Sequence, residues 1–362
     1  MFNFMLDNEL AIFGGSPVKA DAWPSAIIRA KNTEKFLLQA LHSNTWAIGS
    51  DLNEDASFER RFAKQFVKLI GTKYCVPTIS GTAALRLALL ALDIKPNDKV
   101  IVPGLTWVAC ATSVLSVGAI PVLVDIAPDD LCLSLAETEK QLKNGCRAIM
   151  LVHLYNSSAQ ISNFVSLAKK YNVPLIEDCA QSIGTKVKGK NIGTFGDVAC
   201  FSFHQSKELA AGEGGAIITN NKELFDKIEL LRSDGMLFSN HDNKYYGNTI
   251  GHNMSLSEIH SAILCGQIEE FKKNQLIKES NGNYLKEILA KKGFYTKKQN
   301  SNDTKTSYFK FIIKLDLERF TFVTSNVIAK ALSFELNTLV SPIYAPLNNN
   351  KLYQPKKYQA IC

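Results

Sequence analysis

Between residues 74 and 231 the chain repeats one pattern: a short apolar run, a break, a stretch with helical spacing, and another break. The runs at 74–78, 100–103, 120–125, 147–153, 174–178, 198–203 and 216–219 read as strands. Residues 82–92, 108–117, 162–171 and 222–231 read as helices between them. Strands that are apolar on both faces and separated by helices predict a mostly parallel sheet inside a three-layer α/β domain. The uncharged stretch from Val100 to Val124 is long enough to cross a bilayer. Pro103-Gly104, Gly118 and Pro121 cut it into strand, helix and strand, so no membrane span is expected.

On either side of this repeat the pattern changes. The first fifty residues read as irregular. A helix then starts at Ser57, which can cap it, with Phe58, Phe62, Phe66 and Ile70 four residues apart on one face. From 257 to about 292 the spacing is helical without a break; 307–315 then reads as a strand and 322–332 as a helix. These segments predict a smaller C-terminal α+β domain. The expected division is an N-terminal arm over 1–30, a large domain over 31–265 and a small domain over 266–362.

Composition narrows the function classes. The 362 residues are 46% hydrophobic, enough for a large core. The net charge of +7 is mild, and its densest cluster, Lys291, Lys292, Lys297 and Lys298, lacks interleaved aromatics, so a nucleic-acid partner is not expected. The eight cysteines form no CxxC pair and mostly lie in apolar runs, which predicts buried free thiols in a reducing compartment. The histidines show no zinc-type spacing with them, so no metal is expected. Residues 1–10 carry Asp7 and Glu9 and read as no signal peptide. A cytoplasmic location follows as the expectation.

The chemistry gathers where the strands end. Ligands of open α/β sheets bind beyond the carboxyl ends of the strands. Ser80-Gly81-Thr82 follows one strand and opens a helix, so Gly81 lets backbone come close and the first-turn N–H groups can hold a phosphate. Trp107 follows a second strand and offers a flat face for an aromatic ring. Asp178 ends a strand so apolar that its carboxylate needs a partner. Gln181 follows it closely. Ser202 ends a further strand, and Lys207 lies on the turn after it, ahead of Gly212, Gly214 and Gly215. An amine that bonds an aldehyde, with an acid that keeps a pyridine nitrogen protonated, suits pyridoxal 5′-phosphate (PLP), with Lys207 as its Schiff-base residue and the base that moves a proton.

In order along the chain stand Ser80-Gly81-Thr82-Ala83-Ala84-Leu85, Pro103-Gly104-Leu105-Thr106-Trp107, His153-Leu154-Tyr155, Glu177-Asp178-Cys179-Ala180-Gln181-Ser182, Phe201-Ser202-Phe203-His204 with Lys207, Gly212-Glu213-Gly214-Gly215, and Asn253 through Ser257-Glu258-Ile259. This series resembles the DegT/DnrJ/StrS aminotransferases. Tyr74-Cys75-Val76-Pro77-Thr78 looks most like the glutamine:scyllo-inosose aminotransferases among them.

The resemblance implies a fold-type I PLP enzyme that moves an amino group from glutamine or glutamate to a keto-sugar or keto-cyclitol. It places the pyridine nitrogen on Asp178, the ring hydroxyl on Gln181, the ring face on Trp107 and the phosphate on Gly81, Thr82 and Ser202. It also implies that Asn253 reaches the phosphate of a neighbouring subunit, hence a homodimer with shared active sites.

This sequence departs from the family at several positions. Asn156 stands where glycine is common, Ile183 where histidine is frequent, and Ser255 where sugar-acting members carry arginine or lysine. Relatives usually continue past the position of Cys362 with a further strand and helix, so the small domain reads as truncated. That leaves a non-catalytic copy as one alternative. A dehydratase or ring-aromatising relative is another, against which Lys207 speaks, because deoxysugar dehydratases of the family carry histidine there.

Overall fold

A computed structural model describes residues 9–25, 30–48, 56–236, 249–297, 304–316 and 318–353. Seven strands form its main sheet: β1 (Tyr74–Thr78), β2 (Lys99–Pro103), β3 (Ile120–Val124), β4 (Ala148–Val152), β5 (Leu175–Asp178), β6 (Val198–Ser202) and β7 (Gly215–Thr219). They lie in the order β1-β7-β6-β5-β4-β2-β3. Every neighbouring pair is parallel except those involving β7, which runs antiparallel to both β1 and β6. The carboxyl ends of the other six strands therefore share one edge. With helices on both faces, this is the fold-type I α/β architecture that the alternating pattern leads to.

Nine α-helices accompany the sheet among the described residues: α1 (Thr33–His42), α2 (Phe58–Ile70), α3 (Gly81–Ala91), α4 (Ala109–Ser116), α5 (Leu135–Lys143), α6 (Ile161–Tyr171), α7 (Lys222–Arg232), α8 (Glu258–Lys291) and α9 (Ser325–Leu336). On α2 the four-residue spacing does what it predicts. Phe62 and Phe66 are fully buried, and their rings meet Phe201 and Phe203 edge-on at 5.0–5.4 Å. Ser57 caps the helix, its Oγ accepting from the Arg60 N–H at 3.2 Å. The pleat turns Ser202 to the opposite face from Phe201 and Phe203, where α3 begins.

Three expectations are corrected. The first fifty residues are not irregular throughout, since α1 occupies Thr33–His42 and packs against α8. It is ten residues long with no side-chain cap to announce it, too short to hold by itself, and contact with α8 holds it. The strand expected at 307–315 shrinks to the pair Ile313–Lys314, bonded to Tyr295–Thr296. Upstream of it Tyr308 is left-handed (φ 56°), and the Asn156 side chain takes the N–H groups of Phe309 and Lys310 that a ladder would have used. The last helix starts at Ser325 rather than 322, where Thr324 caps it by accepting from the Val327 N–H. One unexpected helix, α5, follows the Ser134 cap. Seven cysteines are buried free thiols; Cys362 lies outside the described residues.

Candidate active site

The register across the sheet lines up Thr78, Gly215 and Ser202 on adjacent strands, and Asp178 beside Cys200 on the next pair. Alternation puts Asp178, Cys200 and Ser202 on one face, at the shared carboxyl edge. The turn into α3 crosses that edge. Thr78 Oγ1 donates to the Ser80 carbonyl at 3.0 Å, and Ser80 Oγ accepts from the Ala83 N–H at 3.1 Å. Gly81 is pressed against β6 so closely that a Cβ there would sit 2.9 Å from the Ser202 Cβ. The N–H groups of Gly81 and Thr82 find no acceptor among the described residues. Two free amides at a helix N-terminus, beside a serine hydroxyl, form an anion cradle.

Asp178 is 6% exposed. Its Oδ1 accepts from the Ala180 N–H at 3.0 Å and its Oδ2 from the Cys110 thiol at 3.1 Å, which also lies 3.3 Å from Thr106 Oγ1. Burial pushes the Cys110 thiol well above the ordinary range, so it stays a donor. The neighbouring Glu177 faces the other way and anchors a loop, accepting from the Gly193, Phe195 and Gly196 N–H groups and pairing with His153.

Gln181 is held at both ends. Its Oε1 accepts from the Tyr155 N–H at 3.1 Å, and its Nε2 donates to the Tyr344 hydroxyl at 3.2 Å. The Tyr344 ring lies 5.7 Å from Trp107, which is 56% exposed, and 5.3 Å from Tyr155.

Lys207 rides on a loop closed by backbone bonds from Phe203 to Gly214 and from Gln205 to Gly212. Its ammonium lies over the Phe309 ring, 4.5 Å from the centroid. Burial lowers its pKa, and the Asp178 carboxylate is the largest opposing influence. The Asp178 carboxylate thus acts on the amine through a space shielded from water, while burial makes the amine easier to deprotonate.

Gly81, Thr82, Trp107, Asp178, Gln181, Ser202 and Lys207 all sit at or just beyond the carboxyl edge. Asn253 does not join them. It is exposed, on a segment that bridges to Ser233. Sequence reasoning missed Cys110 and Tyr344, and gave Tyr155 no role although its motif stood out. The first sits inside an apolar helix and reads as core. Tyr344 comes from an irregular segment with no periodicity, and only its flanking Pro342 and Pro346 hint at a fixed extended course.

Residues 29–361 match the model of the DegT/DnrJ/EryC1/StrS aminotransferase family. The chain belongs to this family. It is 37% identical to the L-glutamine:2-deoxy-scyllo-inosose aminotransferase of Streptoalloteichus tenebrarius over 96% of this chain and 84% of that one. It is 38% identical to the GDP-perosamine synthase of Escherichia coli O157:H7 over 66% of this chain and 63% of that one. Among solved structures it resembles S. venezuelae DesV in complex with a ketimine intermediate (28% identity, TM-score 0.77, 91% of this chain and 84% of that one). It shares its fold with the aminotransferase from Psychrobacter cryohalolentis (24% identity, TM-score 0.83, 94% and 89%). As a member of this family the chain is a PLP-dependent aminotransferase that acts on keto-sugars or keto-cyclitols. Its own residues fit that cofactor: free amides for a phosphate, a buried acid for a ring nitrogen, and an amine whose basicity burial depresses.

Proposed function

We propose that this aminotransferase takes the amino group of glutamine and delivers it to the ketone of a cyclitol, working as a cytoplasmic homodimer. The observation that carries the mechanism is the gathering of Lys207, Asp178, Ser202 and the Gly81 turn at one carboxyl edge of the sheet, with Asp178 acting on Lys207 across it. The relatives matched along nearly the whole chain, named for glutamine and an inosose, favour this donor and acceptor. No helix among the described residues is long and apolar enough to cross a membrane.

PLP supplies an aldehyde that bonds amines and a ring that accepts the electrons released at the neighbouring carbon. The chain does the rest. The Gly81 and Thr82 amides and the Ser202 hydroxyl bind the phosphate. Asp178 keeps a proton on the ring nitrogen; an opposite charge so placed raises a pKa by about 1–3 units. Gln181 meets the ring hydroxyl and Trp107 flanks the ring. Lys207 Nζ takes a proton from the donor carbon and returns one to the adjacent atom, the task for which a neutral amine is needed. Asn253 serves the phosphate of the second subunit, and the chain divides near residue 265 into a large and a small domain.

The test is direct. The PLP-loaded protein is given glutamine and, separately, a panel of keto-cyclitols and nucleotide-linked keto-sugars, and amine products are followed by mass spectrometry. An aminocyclitol is the expected product, and Lys207→Ala should form none. Amination of the nucleotide sugars alone would reject the cyclitol assignment, and no amine from any acceptor would reject the reading altogether.

A further inference from the structure

A second feature opens beside Lys207. A cavity of about 380 Å³ lies between the Lys207 loop, the middle of α8 and the segment 308–311. Its charged walls are Lys207, Glu208, Lys278 and Lys310, with Asn281 beside them. The Lys207 and Lys310 ammonium groups both lie over the Phe309 ring, 4.5 Å and 5.3 Å from its centroid. Each is close enough to the other for Lys310 to depress Lys207. None of the three lysines has a carboxylate at ion-pair distance among the described residues.

The Glu208 carboxyl belongs to the same cavity wall; both its oxygens are shielded from solvent, and Lys278, Ser307 and Lys207 are the groups that act on it. The nearby Ser307 hydroxyl is engaged with Thr185 Oγ1 at 3.1 Å. Like-charged amines held together with no carboxylate at ion-pair distance are an arrangement that an anionic ligand completes.

The cavity is built deliberately. The Asn156 side chain holds the backbone of Phe309 and Lys310, accepting from both N–H groups and donating to the Lys310 carbonyl at 2.6 Å. Gly282 in the middle of α8 lets Tyr308 approach, since a Cβ there would sit 2.7 Å from the ring. A mid-helix glycine costs about 1 kcal/mol against alanine, so the close approach is what it serves.

We infer that Lys310, with Lys278, binds the α-carboxylate of the amino donor, whose amino end lies beside Lys207. This rests on the aminotransferase reading and names the donor subsite within it. In that reading the phosphate is held elsewhere, by Gly81, Thr82 and Ser202, and a cyclitol carries no charge. The donor carboxylate is the anion left to match the lysines. An α-amino acid that takes the place of Lys207 on the cofactor aldehyde carries its carboxylate two bonds from the shared nitrogen, on the side of the Lys207 loop that this wall faces.

Two truncated probes separate the contacts: glutaramate, which is glutamine without its amine, and 4-aminobutanamide, which is glutamine without its carboxylate. Their binding to the PLP-loaded protein is measured by calorimetry. In Lys310→Gln, glutaramate should bind about tenfold more weakly, as loss of one charged partner at a partly exposed site implies, while 4-aminobutanamide is unaffected. Lys310→Arg should recover most of the affinity. Equal glutaramate binding in wild type and Lys310→Gln overturns the inference, as does an equal loss for both probes. Displacement of glutaramate by inorganic pyrophosphate at lower concentration overturns it in favour of a phosphoryl site. A wild-type protein that takes up no PLP sinks the parent reading instead, which keeps the two failures distinct.

Discussion

Glu208 shows how a single buried acid sets a pH dependence. Burial pushes its carboxyl up to about 7, with Lys278 and Lys207 pulling in the opposite direction. A carboxyl whose folded pKa is raised gives the fold stability at low pH. That stability is complete below the unfolded value and lost as pH rises through about 7. Glu208→Gln should remove this loss, making the protein more stable at pH 8 by on the order of 2–3 kcal/mol and about as stable at pH 4. Urea melts at the two pH values check it; an unchanged pH slope would mean that Glu208 is solvated. Asp178 works in the opposite sense on Lys207, so Asp178→Asn should lower the pH at which Lys207 of the cofactor-free chain becomes reactive toward an acylating reagent. An upward shift would contradict the shared space.

The elements carry these side chains to one place. The aromatic stack of Phe62 and Phe66 on Phe201 and Phe203 fixes β6, the strand that leads to Lys207. Phe66→Ala should cost about 3–5 kcal/mol in denaturant unfolding, the usual range for a fully buried ring. A loss under 1 kcal/mol would mean that the packing is loose. The 308–311 segment depends instead on one side chain. Asn156→Ala strips three hydrogen bonds from a backbone that pairs with no strand there. Faster amide exchange at Phe309 and Lys310 is expected, with the exchange of β5 and β6 unchanged.

At the scale of the molecule, the sheet was legible because each strand is a short, doubly apolar run bounded by glycine, proline or a helix cap. The edge residues were legible because backbone alternation and strand ends are local. Asn156 marks the limit. Its departure from the family glycine was visible in the sequence, but its grip on Phe309 and Lys310 reaches across 154 residues and depends on the fold. The same holds for Tyr344 on Gln181 and for α1, a short uncapped helix held by packing on α8. The proposed dimer has its own test at this scale. If Asn253 serves the partner's phosphate, Lys207→Ala and Asn253→Ala chains mixed after unfolding should recover about a quarter of wild-type activity, since a mixed dimer holds one intact site. Additive, unrecovered losses would place Asn253 in its own subunit's site or in none.

The central claim is that Lys207 is the amine that meets the cofactor, with Asp178 beneath it. Borohydride reduction of the PLP-loaded protein, followed by peptide mass mapping, fixes the cofactor to whichever lysine it is bonded to. The account predicts a phosphopyridoxyl group on Lys207 alone, lost when glutamine is added before the reductant. Label on Lys278 or Lys310 instead, or no label in a protein saturated with PLP, would contradict it.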